Sequence, residues 1–305
     1  MKTKLNNSPY ATAFWAMMIN RAHNADDLHN SRQKEAEGFY FPDDTLMRFR
    51  DEQKKMNIFR QIATVMNIGS AETRIKVLPP SGEADFVGEG VAIPESTETI
   101  TDFNIESYKI AKLTKITHET LRDVGFNLEA ALIADFGRAF GLAEENGMIN
   151  GNGINRPNGL LHPTKGAEIG VTATGTLNFD HVRELFFSLG AEFRKNACWL
   201  MNDETALFVR TLKDSTGGYI WNDFDNSIFG KPVHTTPYMP SVAAGNTPVL
   251  FGDFRFLWLM ERAGVVVKPL VELYAEHGIT GYVCTEFMDS RLVKREAVKG
   301  LAIAE

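Results

Sequence analysis

The chain has 305 residues, 44% of them hydrophobic and 23% charged, with a formal net charge of −7. That length leaves room for a sizeable core, and the acidic balance excludes a general nucleic-acid binder, which needs a basic patch. No window approaches the ~20 apolar residues that span a bilayer, so the reading is a soluble, cytosolic chain. Its only cysteines, Cys198 and Cys284, sit beside apolar residues and read as buried thiols rather than a disulfide.

Residues 1–35 are polar apart from the patch ATAFWAMMI and end in the charged run HNSRQKEAE. The patch lacks the small-x-small cleavage site of a signal peptide. It reads as an amphipathic arm that presents Phe14, Trp15 and Met18 to another surface, because so polar a segment cannot fold alone. EGFYFP begins the compact part, and residues 44–68 mix helix and strand signals. Within them RFRDEQKKMNIFR holds five basic residues against Asp51 and Glu52.

Residues 77–108 follow, with no Lys, Arg or His but seven acids: Glu83, Asp85, Glu89, Glu95, Glu98, Asp102 and Glu106. The charge of this window equals that of the whole chain; the remainder balances 32 bases against 32 acids (39 − 7). Short extended pieces around Gly88 and Gly90, and alternation over 101–116, predict a long two-stranded ribbon. An isolated hairpin is marginal in water, and uncompensated carboxylates weaken it further. It is either a solvated flexible loop or an arm whose countercharges lie on another subunit.

Asn127 is a good cap for a helix over 127–145, with Leu128, Leu132, Phe136 and Phe140 stepping by four. Asn146-Gly147 marks its expected exit. Glu144 and Glu145 oppose the dipole there, so basic partners are expected nearby. A turn-rich loop, NGMINGNGINRPNGLL, leads into alternating helices and strands: a helix over 179–193, a buried strand ACWLMN, and a helix over 203–212 capped by Asp203. Strands are then expected at 232–236, 248–252, 256–262, 265–273 and 281–287, with a closing strand at 297–302. There is no repeat and no linker. The fold class is α+β with mixed sheets.

The chemistry-bearing motifs all fall short. GNGINRPNG lacks the GK[ST] ending of a phosphate loop, and THETL lacks the second histidine of a zinc protease helix. Cys198 reads as core, and Asp253 in FGDF as a turn-former. No catalytic, cofactor-binding or metal-binding residue is assigned, and the chain is not expected to be an enzyme. What remains is surface that another subunit would complete.

The order of EGFYFP, the acidic hairpin, the long helix running into NGMINGNGINRPNGLL, then CWLMND, LKDSTGGYIW, FGKPV and LFGDF resembles tailed-phage major capsid proteins of the HK97-fold family. The resemblance runs from about Tyr10 to the C-terminus. It implies an N-terminal arm (1–36) and a P domain (37–165) with an E-loop (77–108) and spine helix (127–145). An A domain (166–255) follows, then P-domain strands with a P-loop (256–295) and a strand (296–305) returning to the A domain. Such a subunit would form pentamers and hexamers of an icosahedral shell around double-stranded DNA, bound without sequence specificity. It would be assembled in the bacterial cytoplasm, with portal, scaffolding and cement proteins as further partners and no membrane. The alternative is an encapsulin-like nanocompartment. The E-loop lacks the lysine with which the best-known relative cross-links its shell, so no such bond is expected. The proposed countercharges are Arg48, Arg50, Lys54, Lys55 and Arg138 of a neighbour.

Overall fold

The computed structural model describes residues 8–22, 25–29, 33–34, 38–69, 74–77, 86, 101–175, 177–213, 217–219, 221–222 and 226–304. The chain opens with helix α1 (Pro9–Met18), where Ser8 accepts the Ala11 N–H and Pro9 supplies a preset φ. A short helix α2 (Ala25–His29) and strands β1 (Gln33–Lys34) and β2 (Gly38–Tyr40) lead to α3 (Asp43–Met56), α4 (Phe59–Ile62) and β3 (Thr64–Ile68). Strands β4 (Arg74–Val77) and β5 (Thr101–Asn104) pair antiparallel, so the expected ribbon has a two-stranded root. Then come β6 (Tyr108–Thr117), α5 (His118–Arg122) and the long α6 (Leu128–Asn150).

Helix α6 passes the expected exit and ends four residues later, at Asn150. Gly147 lies inside it, its carbonyl accepting the Gly151 N–H at 3.0 Å. Asn-Gly permits a left-handed exit but does not impose one, and here the backbone ladder continues. Upstream, Gly137 and Gly141 let α3 approach closely: a Cβ on them would stand 2.6 Å from Glu52 Cβ and 2.9 Å from the Gln53 carbonyl oxygen.

The second half holds β7 (Glu168–Ala173), α7 (Phe179–Ser188), α8 (Ala191–Arg194), β8 (Cys198–Met201) and α9 (Asp203–Thr211). After it come β9 (Trp221–Asn222), β10 (Ser227–Ile228), β11 (Lys231–Thr235), β12 (Val249–Gly252), β13 (Leu257–Leu270), β14 (Ile279–Leu292) and β15 (Val298–Ile303). Gly190 divides the single helix expected over 179–193. Asn202 rather than Asp203 caps α9, its Oδ1 accepting the Thr205 N–H at 2.7 Å. The two strands expected at 256–262 and 265–273 are one strand, β13, with an irregularity between Arg262 and Val266 where Gly264 adopts φ +75°.

Two mixed sheets result. The first has the order β1-β2-β13-β14-β6, with β3 running parallel to β13. Its inner face (Val265, Val267, Tyr282, Cys284) packs on Leu132, Phe136 and Phe140 of α6 and on Phe49 of α3. The second has the order β7-β15-β12-β8-β11-β10-β9 and is covered on both faces. Trp199, Met201 and Phe251 pack under α7 and α9, while Cys198, Leu200 and Leu250 face Phe59, Met148 and Leu257.

The N-terminal patch corrects an expectation. Phe14 and Met18 are fully buried and Trp15 half-buried, all against the subunit's own core rather than another surface. Phe14 meets Phe41 at 6.1 Å between ring centroids, and the Tyr282 hydroxyl donates to the Met18 carbonyl at 2.8 Å. Tyr40, Phe41 and Tyr282 already offer α1 an apolar seat within the chain, so its burial requires no neighbour.

Candidate assembly surfaces

Of the ribbon carboxylates, Glu83, Asp85, Glu89, Glu95 and Glu98 lie outside the described residues; Asp102 stands in β5, in register with Lys76 of β4. At the ribbon's root, Ile75 and Ile105 pack with Ile68 and Met260. Beside them Asp289 is buried, with Oδ2 accepting the Glu106 N–H at 2.9 Å and Oδ1 the Ser290 N–H at 2.8 Å. Burial pushes the Asp289 carboxyl up to about 6, against the pull of these donors. The Tyr108 hydroxyl donates to the Glu106 carboxylate, and burial together with that bond pushes the phenol up.

The five proposed basic partners are placed unequally. Arg48 forms an ion pair with Glu129 of α6, and Lys55 with Glu52 at 2.5 Å. Lys54 and Arg138 are exposed on α3 and α6. Arg48, Lys54 and Lys55 line an open groove of about 630 Å³ floored by Ile133 and Ala134. Arg50 departs from the expectation. It is turned inward, pairing with Glu261 at 2.8 Å and with Glu286, because two carboxylates buried on β13 and β14 need a cation there.

Arg50 belongs to a cluster that sequence reasoning largely missed. Arg60 of α4 forks onto Glu144, with Nε and Nη2 at 2.7 and 2.6 Å, and reaches Glu261 at 2.5 Å. Gln53 bridges Glu144 and Glu286 at 3.2 and 2.9 Å, and Asn57 donates to Glu144 at 3.0 Å. Three carboxylates and two guanidiniums thus tie α3, α4, α6, β13 and β14 together. Burial raises the Glu144 carboxyl above its ordinary range despite Arg60, and burial opposes the Arg60 charge less than Glu144 and its neighbours favour it. The basic partner expected near Glu144 is therefore present; Glu145 instead accepts the Ile58 N–H at 3.1 Å. The signals for the rest were Glu261 and Glu286, lone acids within apolar strands.

Both cysteines are free and buried, and burial pushes the Cys198 thiol up to about 12, which makes it a poor nucleophile at neutral pH. Among the described residues no group of acids, histidines and cysteines is arranged to hold a metal ion, and no helix is long and apolar enough to cross a membrane. Among the described residues, the distinctive surfaces are the β4–β5 root of the 77–108 segment and the tip of the β13–β14 hairpin, where Leu273 is exposed.

Residues 37–303 match the family model described as Phage capsid family. The "Probable major capsid protein gp17" of Mycobacterium phage L5 is 27% identical over 236 residues, which cover 72% of each chain. The capsid of a native GTA particle superposes with a TM-score of 0.66 at 27% identity, over 81% of this chain and 90% of that one. A chain from Mycobacterium phage Cain shares the fold, with a TM-score of 0.53 at 17% identity over 94% and 96% of the two chains. A family match over most of the chain, joined to the long helix, the rooted ribbon and the two mixed sheets, means that this chain belongs to the phage capsid family and is a capsid structural subunit with an HK97-like fold.

Proposed function

We propose that copies of this chain tile an icosahedral shell, as pentamers and hexamers, around a double-stranded DNA genome. In this reading residues 77–108 are an E-loop that reaches a neighbouring subunit and α6 is the spine of a P domain. The two-faced sheet, built from 166–255 and the final strand, forms an A domain at the capsomer axis. The tip of the β13–β14 hairpin meets other copies at threefold positions. The observation that carries the reading is the family match over residues 37–303. A second support is the charge imbalance: all of the net −7 falls in one segment, and charge gathered at one surface suits a contact completed in trans. Each contact need be only weak, because every subunit closes several heterologous interfaces at once.

The relatives named above are phage and GTA capsids, which favours a phage shell over an encapsulin-like compartment. Assembly in the bacterial cytoplasm, and association with portal, scaffolding and cement proteins, belong to the same proposal. Negative-stain microscopy of the purified chain tests it. Closed particles tens of nanometres across are expected; a protein that stays monomeric at high concentration overturns it.

A further inference from the structure

The turn-rich stretch NGMINGNGINRPNG places Asn-Gly pairs at 146–147, 150–151, 152–153 and 158–159. Such a pair carries a chemistry of its own: glycine, lacking a Cβ, lets its backbone nitrogen close on the preceding carboxamide carbon. The fold treats the four pairs unequally. Asn146 and Asn150 lie in α6, and the Gly151 N–H is committed to the Gly147 carbonyl at 3.0 Å. The Asn150 carboxamide is tied as well, donating to Asn146 Oδ1 at 3.1 Å and to the Tyr238 carbonyl at 3.0 Å. Asn158 is buried, and the Gly159 N–H donates to the Gly151 carbonyl at 3.0 Å. Asn152, by contrast, is exposed beyond the helix end, and its backbone pairs with Asn158 through an isolated bridge. Its Oδ1 accepts the Ile154 N–H at 3.2 Å, and Gly153 adopts φ +72°. That bond folds the side chain forward along the backbone, over the Gly153 nitrogen, and polarises the carbonyl which that nitrogen would attack.

We propose that Asn152 is a self-modification site, at which the Gly153 nitrogen closes a succinimide that water then opens to an aspartyl or isoaspartyl residue. The new bond joins the Gly153 nitrogen, which gives up its proton, to Asn152 Cγ; the Cγ–Nδ2 bond breaks and the amide nitrogen leaves as ammonia. Water then adds to either ring carbonyl, breaks its bond to nitrogen and leaves a carboxylate there. The sum is hydrolysis of the side-chain amide, with no oxidant and no second enzyme. Each converted copy gains one negative charge, and the isoaspartyl form also lengthens the backbone by a methylene. The Gly153 carbonyl stands 3.3 Å from the Tyr108 hydroxyl, which donates to Glu106. The added charge therefore appears beside the root of the segment that already holds the chain's whole excess.

Incubating the full chain in mildly alkaline buffer made with heavy-oxygen water tests this. The water that opens the ring leaves its oxygen in the new carboxylate, and fragmentation of the derived peptides places it. Folded protein should take up the label at residue 152 first, at least about tenfold faster than at 146, 150 or 158, whose pairs react only when their segments open locally. The same chain in concentrated urea should take it up at all four positions, since each asparagine precedes a glycine. Asn152→Ser, which keeps a side-chain oxygen for the Ile154 N–H, should melt with the wild type and lose the early label. Absence of label at 152 in the folded chain, while the urea-unfolded chain takes it up, overturns the inference. Uptake by the folded chain at 146, 150 or 158 at a rate comparable to that at 152 overturns it as well. The labelling needs no assembled shell, so its outcome is independent of the shell reading.

Discussion

The two sheets of this subunit are built on opposite plans. The second is covered on both faces, so β8 and β12 are buried at every position and read as unbroken apolar runs. Among the described residues the first has helices on one face only, so β6 and β14 alternate and the outer face carries lysines. The difference separates two tasks. A sheet packed on both sides holds shape, and a sheet with one side open can take a neighbour. Between them stands the buried cluster of Arg50, Arg60, Glu144, Glu261 and Glu286, which fixes the long helix against the hairpin.

Breaking that junction should produce the largest effect. Arg60→Met leaves Glu144 and Glu261 short of a cation and should cost about 3–5 kcal/mol, read by urea unfolding of the unassembled subunit. A loss below about 1 kcal/mol would show the cluster to be peripheral to the fold. The contrast between the sheets is sharpened by pairing Trp199→Ala with Leu113→Ala. Removing the fully buried indole should cost roughly 3–5 kcal/mol and trimming the open face less than about 1; similar losses would erase the distinction. Phe14→Ala belongs with the larger class, at about 3–4 kcal/mol. An effect on assembly without one on subunit stability would return α1 to the role of an arm.

The ribbon's root adds a pH dependence. Asp289 is raised from 3.8 to about 6 in the fold, so the folded state holds its proton more tightly than the unfolded state does. The stability it contributes is complete below about pH 4 and is lost as pH rises through about 6, about 3 kcal/mol at ~1.4 kcal/mol per pKa unit. Relative to Asp289→Asn, which does not titrate, the wild type should lose that amount between pH 4 and pH 7; parallel profiles would falsify the assignment. The smallest change expected is Lys115→Ala, about 0.5 kcal/mol from the exposed contact with Tyr274, in thermal melts of the free subunit.

Legibility in the sequence followed burial on one face or two. The stepping of Leu128, Leu132, Phe136 and Phe140 announced α6, and the alternation from Tyr108 to Ile116 announced β6, because each carries its apolar residues at the period of its own backbone. The end of α6 was missed because Asn-Gly is permissive of an exit and the continuing helix is held by its own ladder. The gap between two expected strands was a glycine irregularity inside β13, which a chain-order reading cannot tell from a turn. Phe14, Trp15 and Met18 were recognised as needing cover, but not that the cover lies within the chain. Among the site residues, the ribbon's charge excess was plain from counting; the inward turn of Arg50 was not, since it depends on Glu261 and Glu286 more than two hundred residues away.

By itself the sequence determined the long helix α6 and most strands of the second half, where the excess charge lies and, through the order of its motifs, which family the chain joins. Those properties are local or additive along the chain. Only the tertiary structure decided which basic residues are taken up inside the subunit and which face of the first sheet stays open. Both depend on long-range pairing: an arginine ten residues from another can be buried or exposed according to the strand packed against it, and a strand's free face is defined only once its neighbours are in register.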